Sequence, residues 1–227
     1  MSYPINYPTP QGANIQIFQL GGSVSDWVKP QGASFVWFTL IGAGGKTDGT
    51  ATFLRGGGSG AVTNFMGPAF LMPDVLQVQV GNSKGSGNDL KSIIRYQQKD
   101  GSGYTLLNAN GGATGDNGGS GGTATPPEAF GAMGFSQSTG GQDGLEASVT
   151  ASATTFLSGG SYSGSVTANY GYSTGRSGFF QMQPIIVGVG GSTLTLNRGG
   201  IGCGGGGSVT TSGRGLGGDG LVVIITW

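Results

Sequence analysis

Phe35-Val36-Trp37-Phe38-Thr39-Leu40-Ile41-Gly42-Ala43-Gly44-Gly45 decides the fold. Seven consecutive apolar, β-branched or aromatic residues predict a strand buried on both faces. The strand then runs directly into glycine. The same junction recurs in reverse at the C-terminus, where Gly218-Asp219-Gly220 leads into Leu221 to Trp227, a second strong strand. Glycine supplies 51 of the 227 residues, in runs such as Gly56-Gly57-Gly58, Gly118-Gly119 and Gly204-Gly205-Gly206-Gly207. Ordering glycine costs more conformational entropy than ordering any other residue. A folded chain of this kind must offset that cost by close backbone packing that side chains would block.

Further strands are predicted outward from these two. Ile15 to Leu20 alternates, with Trp27-Val28-Lys29-Pro30 and Gly32 marking a turn after it. Ala61 to Phe65 returns from the glycine excursion 42–60, and Pro68 and Pro73 turn the chain. Val75-Leu76-Gln77-Val78-Gln79-Val80 alternates cleanly, as a half-exposed strand does. Ile93 to Tyr96 and Tyr104 to Leu107 flank Asp100-Gly101, a hairpin signal. Phe179 to Val189, interrupted by Pro184, and Thr193 to Leu196 are the last before the C-terminal strand. No segment patterns as an amphipathic helix. The expectation is an all-β chain: one glycine-rich β-sandwich, jelly-roll-like, over residues 15–227. An extended arm, residues 1–14 with three prolines, precedes it. Residues 111–178 form a Gly-, Ser- and Thr-rich loop region within it. Two readings of the glycine runs stand. Either they order as polyproline-II-like helices hydrogen-bonded chain to chain, extending the logic of collagen's axis, or they hang from the sandwich as loops.

Composition narrows the function. Ten basic and ten acidic residues give zero formal net charge, and charged residues total 9%, against about a quarter in an ordinary soluble domain. Nucleic acid is not an expected partner, because no basic stripe is present to neutralise phosphates. Zero net charge favours self-association, so a homo-oligomer is expected. Collagen is excluded by the lack of a Gly-X-Y period, and full disorder by 36% hydrophobic residues that include Trp27, Trp37 and Trp227. One cysteine, Cys203, allows no intrachain disulfide. The start, Met1-Ser2-Tyr3-Pro4, does not pattern as a secretory signal, and no stretch is long and apolar enough to insert in a membrane.

Few motifs point to chemistry. Gly45-Lys46-Thr47 follows a strand as a phosphate loop would, yet the pattern needs glycine where Leu40 stands. Gly202-x-Gly204-x-x-Gly207 and Gly213-x-Gly215-x-x-Gly218 fit a dinucleotide fingerprint, but neither opens a helix. Histidine is absent, and with it the usual general base and commonest metal ligand. Cys203 lies among glycines, with Arg198 its nearest base, and is expected to pack rather than react. The acids are dispersed: Asp26, Asp48, Asp74, Asp89, Asp100, Asp116, Glu128, Asp143, Glu146 and Asp219. A glycosidase pair would need the fold to gather two of them. Four stand in Asp-Gly turn dipeptides (Asp48, Asp100, Asp143, Asp219), and no Asp-x-Asp-x-Asp loop suggests calcium. No catalytic residue, cofactor or metal is therefore expected. The clearest binding signal is aromatic residues set in uncharged polar sequence: Tyr162, Asn169, Tyr170 and Tyr172, with Phe130 and Phe135. Tyrosine with adaptable Ser and Gly neighbours has the chemistry of a paratope and could also stack on sugars. The same residues could instead pack within the sandwich or on a neighbouring subunit.

The order of these elements resembles the glycine-rich domains of bacteriophage virion proteins. The shared features are Trp27-Val28-Lys29-Pro30-Gln31-Gly32, the strand ending in Gly42-Ala43-Gly44-Gly45, and Gly57-Gly58-Ser59-Gly60-Ala61 before Val75 to Val80 and Gly81-Asn82. The closing Gly218-Asp219-Gly220-Leu221 to Trp227 completes the pattern. The resemblance covers the chain from about residue 15 onward, and order rather than any one motif carries it. It implies a virion surface protein of a fibre, spike or tail tip involved in host attachment, with capsid decoration or a carbohydrate-binding module as alternatives. It also implies docking to other virion proteins through the arm, a host-surface glycan or protein as partner, and a trimer as the fibre-type oligomer. The small adhesins of T-even-type long tail fibres, with stacked glycine helices, are a related case; the Ser-, Thr- and Ala-rich middle of this chain departs from them.

Overall fold

A computed structural model describes residues 12–46, 57–97, 103–114, 120, 122–123, 136–139, 199–205 and 215–227. Among the described residues nine strands carry the fold: β1 Asn14–Phe18, β2 Val24–Val28, β3 Phe35–Ile41, β4 Val62–Pro68, β5 Val75–Gln79, β6 Ser92–Gln97, β7 Gly103–Ala109, β8 Ser136–Thr139 and β9 Leu221–Thr226. Two short 3-10 turns, Ala69–Leu71 and Gly87–Leu90, complete the regular structure, and no α-helix occurs among the described residues. The chain is all-β.

The strands form two antiparallel sheets, one ordered β1-β9-β3-β4-β8 and one ordered β2-β5-β6-β7. The C-terminal strand inserts between β1 and β3, which is why Phe35–Ile41 and Leu221–Thr226 are both central and both read as unbroken apolar runs. Inward residues of both sheets meet in one buried cluster that includes Trp27, Phe38, Phe65, Leu76, Ile94 and Ile224. Trp27 and Phe38 touch edge-to-face across the two sheets, with centroids 5.6 Å apart.

Three details differ from expectation. Trp27 ends a strand rather than opening a turn: β2 pairs with β5, and the turn falls later, with Gly32 at φ 78. Alternation in β2 was masked because Val24 and Val28 face outward, 56% and 61% exposed, while Trp27 faces in. A strand, β8, lies within 111–178 and pairs with β4; Ser-Gln-Ser-Thr carries no hydrophobic alternation to announce it. In β7 a bulge opposite Ile94 and Arg95 sets both Leu106 and Leu107 against the core. The arm meets β1 at Asn14. Residues 1–11, the Asp100-Gly101 hairpin tip and the expected strands 179–189 and 193–196 lie outside the described residues.

The core tapers toward one end. Inward positions shrink from Phe65 to Thr63 to Ala61 along β4, from Ile224 to Val222 to Gly220 along β9, and from Leu107 to Ala109 to Gly111 along β7. Facing sheets ordinarily stand about 10 Å apart because side chains fill the gap. Here the filler dwindles and the sheets converge until groups of one bond the other. Thr63 Oγ1 donates to Asn108 O at 2.6 Å. Ser92 Oγ donates to Ile41 O at 2.6 Å and accepts from Gly81 N–H at 3.0 Å. Beyond these contacts the chain is mostly glycine.

Candidate functional site

The glycine segments 42–45, 57–61, 110–113 and 215–220 extend β3, β4, β7 and β9, and with 199–205 they bond directly to one another. Gly42 and Gly45 donate to Ala61 O and Gly58 O, continuing the β3–β4 register without a slip. Gly44 donates to Gly218 O, continuing the β3–β9 register. Gly57 and Gly60 donate to Gly205 O and Gly202 O, while Gly58 and Ala61 donate to Ala113 O and Asn110 O. These seven bonds measure 2.8–3.2 Å. In a sheet, residues two apart face the same neighbour. Here residues three apart do, so one segment is tied to several neighbours around its axis.

Such spacing leaves no room for Cβ atoms. An ideal Cβ on Gly44 would fall within 3.0 Å of Cys203 O, and one on Gly45 equally close to Ala113 O. Cys203, fully buried, occupies this packing, and its N–H donates to Gly200 O. The described parts of the phosphate-loop and dinucleotide patterns, Gly45-Lys46, Gly202 to Gly205 and Gly215 to Gly218, lie here too. Three of their backbone donors are engaged: Gly45 N–H by Gly58 O, Gly202 N–H by Asp219 O and Gly218 N–H by Cys203 O.

The sequence-predicted contact residues Phe130, Phe135, Tyr162, Asn169, Tyr170 and Tyr172 lie outside the described residues, as do Asp48, Asp100, Asp116, Glu128, Asp143 and Glu146.

Of the described acids, the fold places Asp26 and Asp74 at one cleft of about 640 Å³ on the outer side of the four-stranded sheet, with Pro73, Val75, Gln77, Tyr96 and Gln97. Gln77 Nε2 donates to Gln97 Oε1 at 3.2 Å. Asp74 pairs with Lys29 at 2.8 Å, and Lys29 Nζ also donates to Met72 O at 2.9 Å. One end of the cleft is thereby pinned. Sequence spacing could not pair Asp26 with Asp74; the β2–β5 register does, setting Asp26 beside Gln77 and Val28 beside Val75. Asp219 has another duty: its carboxylate accepts from Ser83 N–H at 2.9 Å and Ser83 Oγ at 2.8 Å. Among the described residues no group of three or more Cys, Asp or Glu could hold a metal ion, and no helix is long and apolar enough to cross a membrane.

No protein-family model matches the chain, and a search of curated proteins returns no match.

Proposed function

We propose that this chain is a structural protein of a bacteriophage particle surface, a fibre, spike or tail-tip component that serves host attachment. The observation that carries the reading is the glycine bundle hydrogen-bonded in continuous register with β3, β4 and β9. In this reading the two sheets stack as a sandwich, and the glycine segments are polyproline-II-type helices packed side by side, whose three-residue turn accounts for the three-residue bonding step. A body built from peptide groups rather than side chains offers few groups for chemistry. Its use is rigidity, and we propose the Gly-, Ser- and Thr-rich region 111–178 as the part that contacts the host. The arm, residues 1–14, docks the protein to its particle, and the assembly is a homo-oligomer, trimeric in a fibre.

The test is location on purified particles by labelling and imaging. Label at a fibre tip or tail end is the expected result. Label spread over the head in capsomer numbers would replace attachment by capsid decoration, and no label on any particle would sink the virion reading. Deleting residues 1–11 should abolish incorporation; particles that still carry the shortened chain would refute arm docking.

A second reading, a saccharide-binding module, is favoured by the cleft at Asp26. Two carboxylates and two amides on an apolar floor suit sugar hydroxyls. Asp26→Ala should weaken glycan binding without altering the fold; unchanged glycan binding would remove the cleft from consideration.

A further inference from the structure

The cleft on the four-stranded sheet carries two carboxylates that are not equivalent. Asp74 is compensated. The Lys29 side chain is 19% exposed, and an ammonium has three N–H donors. They go to Asp74 Oδ1 at 2.8 Å, Met72 O at 2.9 Å and Ala69 O at 3.4 Å. Lys29 thus neutralises Asp74 and has no donor left for a ligand. Asp26 is exposed and makes no ion pair or side-chain hydrogen bond among the described residues. The register sets Asp26, Gln77 and Arg95 in one row across β2, β5 and β6. Arg95 is two strands from Asp26, roughly 10 Å at the usual strand spacing. Its guanidinium donates to Gln79 Oε1 at 2.9 Å, and it does not line the cleft. One negative charge therefore stays without a counter-charge at the cleft. The amides hold each other in place. Gln77 Nε2 donates to Gln97 Oε1, which leaves the Gln97 N–H pair and Gln77 Oε1 to serve a ligand. Pro73, Val75 and Tyr96 add apolar carbon to the lining.

We infer that this cleft takes a sugar with a free ammonium group, an unacetylated amino sugar, whose ammonium is received by Asp26 and whose neighbouring hydroxyls are received by Gln77 and Gln97. The inference rests on the saccharide reading of the cleft and names the class of sugar. A carboxylate only accepts hydrogen bonds, and an ammonium brings donors together with the opposite charge. A neutral sugar fills the same acceptors with hydroxyls but leaves Asp26 without a counter-charge. An acidic sugar meets Asp26 with like charge, and the cation at the cleft has no donor to offer it. Discrimination then comes from repulsion as well as attraction. The apolar lining suits the C–H face of a pyranose ring, with the polar groups fixing its orientation.

The test is calorimetric titration of the full chain with a glucosamine disaccharide, its N-acetylated counterpart and a uronic-acid disaccharide, at a pH where the amine is charged. The amino sugar should bind roughly fivefold more tightly than the acetylated one, the upper range for an exposed ion pair. Added salt should erase that difference, and the uronic-acid sugar should bind most weakly. Asp26→Asn keeps the shape of the side chain and removes its charge, so it should abolish the preference while the acetylated sugar still binds. Asp89→Asn is the control: Asp89 is exposed in the 3-10 turn Gly87–Leu90, outside the cleft. It makes the same change in net charge and should leave the preference intact. Equal affinity for the amino and acetylated sugars, a preference that survives Asp26→Asn, or one lost equally in Asp89→Asn overturns the inference and leaves the saccharide reading standing. Failure of all three sugars to bind overturns both.

Discussion

At the scale of single residues, glycine serves different ends at different positions, and substitution by alanine separates them. Gly45 is glycine because a Cβ would collide with Ala113 O, a backbone atom that cannot swing aside. Gly32 has open space around it but sits at φ 78, a left-handed conformation. Gly12 has neither constraint. Gly45→Ala should therefore cost about 3 kcal/mol or more, the upper range of overpacking. Gly32→Ala should cost about 1 kcal/mol from the left-handed backbone alone, and Gly12→Ala should lie within about 0.5 kcal/mol of wild type. Urea midpoints at constant slope measure all three; equal effects at Gly45 and Gly12 would mean that the glycine segments are not closely packed. Asp219 makes a similar point. Its Asp-Gly dipeptide reads as a turn, but its carboxylate ties the start of β9 to Ser83 across the two sheets. Asp219→Ala should cost about 2 kcal/mol, the range for bonds to a charged acceptor, in the same assay. A change within error would leave Asp219 with turn chemistry only.

At the scale of elements, the decisive feature is the taper that brings the sheets together. Ser92 sits at the crossing, giving its proton to Ile41 of β3 and taking one from Gly81 beyond β5. It is fully buried, so Ser92→Ala leaves an unpaired N–H and an under-satisfied carbonyl. The expected loss is about 3 kcal/mol, from roughly 1–3 kcal/mol for each orphaned group. Thermal unfolding of the variant checks it, and a neutral result would show that water takes over both bonds. The sequence disclosed the strands that frame this crossing. β3 and β9 were legible as continuous apolar runs because both are central, and β5 because its alternation is clean, with Leu76 and Val78 fully buried between outward neighbours. β2 was not, since outward Val24 and Val28 blur its period. β8 was not either, since its polar residues carry no period to detect. Pairing also lies beyond sequence pattern. Nothing local says that β9 enters between β1 and β3, or that Asp26 and Asp74 share a cleft, because both facts are long-range registers. The glycine runs left two structures open for the same reason: glycine has no side chain through which periodicity could show.

At the scale of the whole molecule, the question is whether strands and glycine bundle are one cooperative unit. Hydrogen exchange decides it. Loops hanging from a sheet open locally at almost no free-energy cost, so their amides exchange near unfolded rates. The bundle does not have that topology. Its segments continue the β3–β4 and β3–β9 registers, so separating Gly42 from Ala61 begins to separate Ile41 from Val62. Each segment is also bonded on several sides. Gly57–Ala61 gives bonds to Gly202 and Gly205 on one neighbour and to Asn110 and Ala113 on another, while accepting from Gly42 and Gly45. Freeing any one segment breaks bonds to two or three others, and the orphaned groups are flanked by peptide rather than water. Opening should then require global unfolding. The amides of Gly42, Gly44, Gly45, Gly57 and Gly60 should be protected to the same order of magnitude as those of Phe38 and Leu40 in β3, and should lose protection together with them as urea is added. Glycine amides that exchange freely while β3 stays protected would make the bundle a set of tethered loops. The rigidity on which the proposed surface role depends would then be gone, while the five-stranded sheet would stand unaffected.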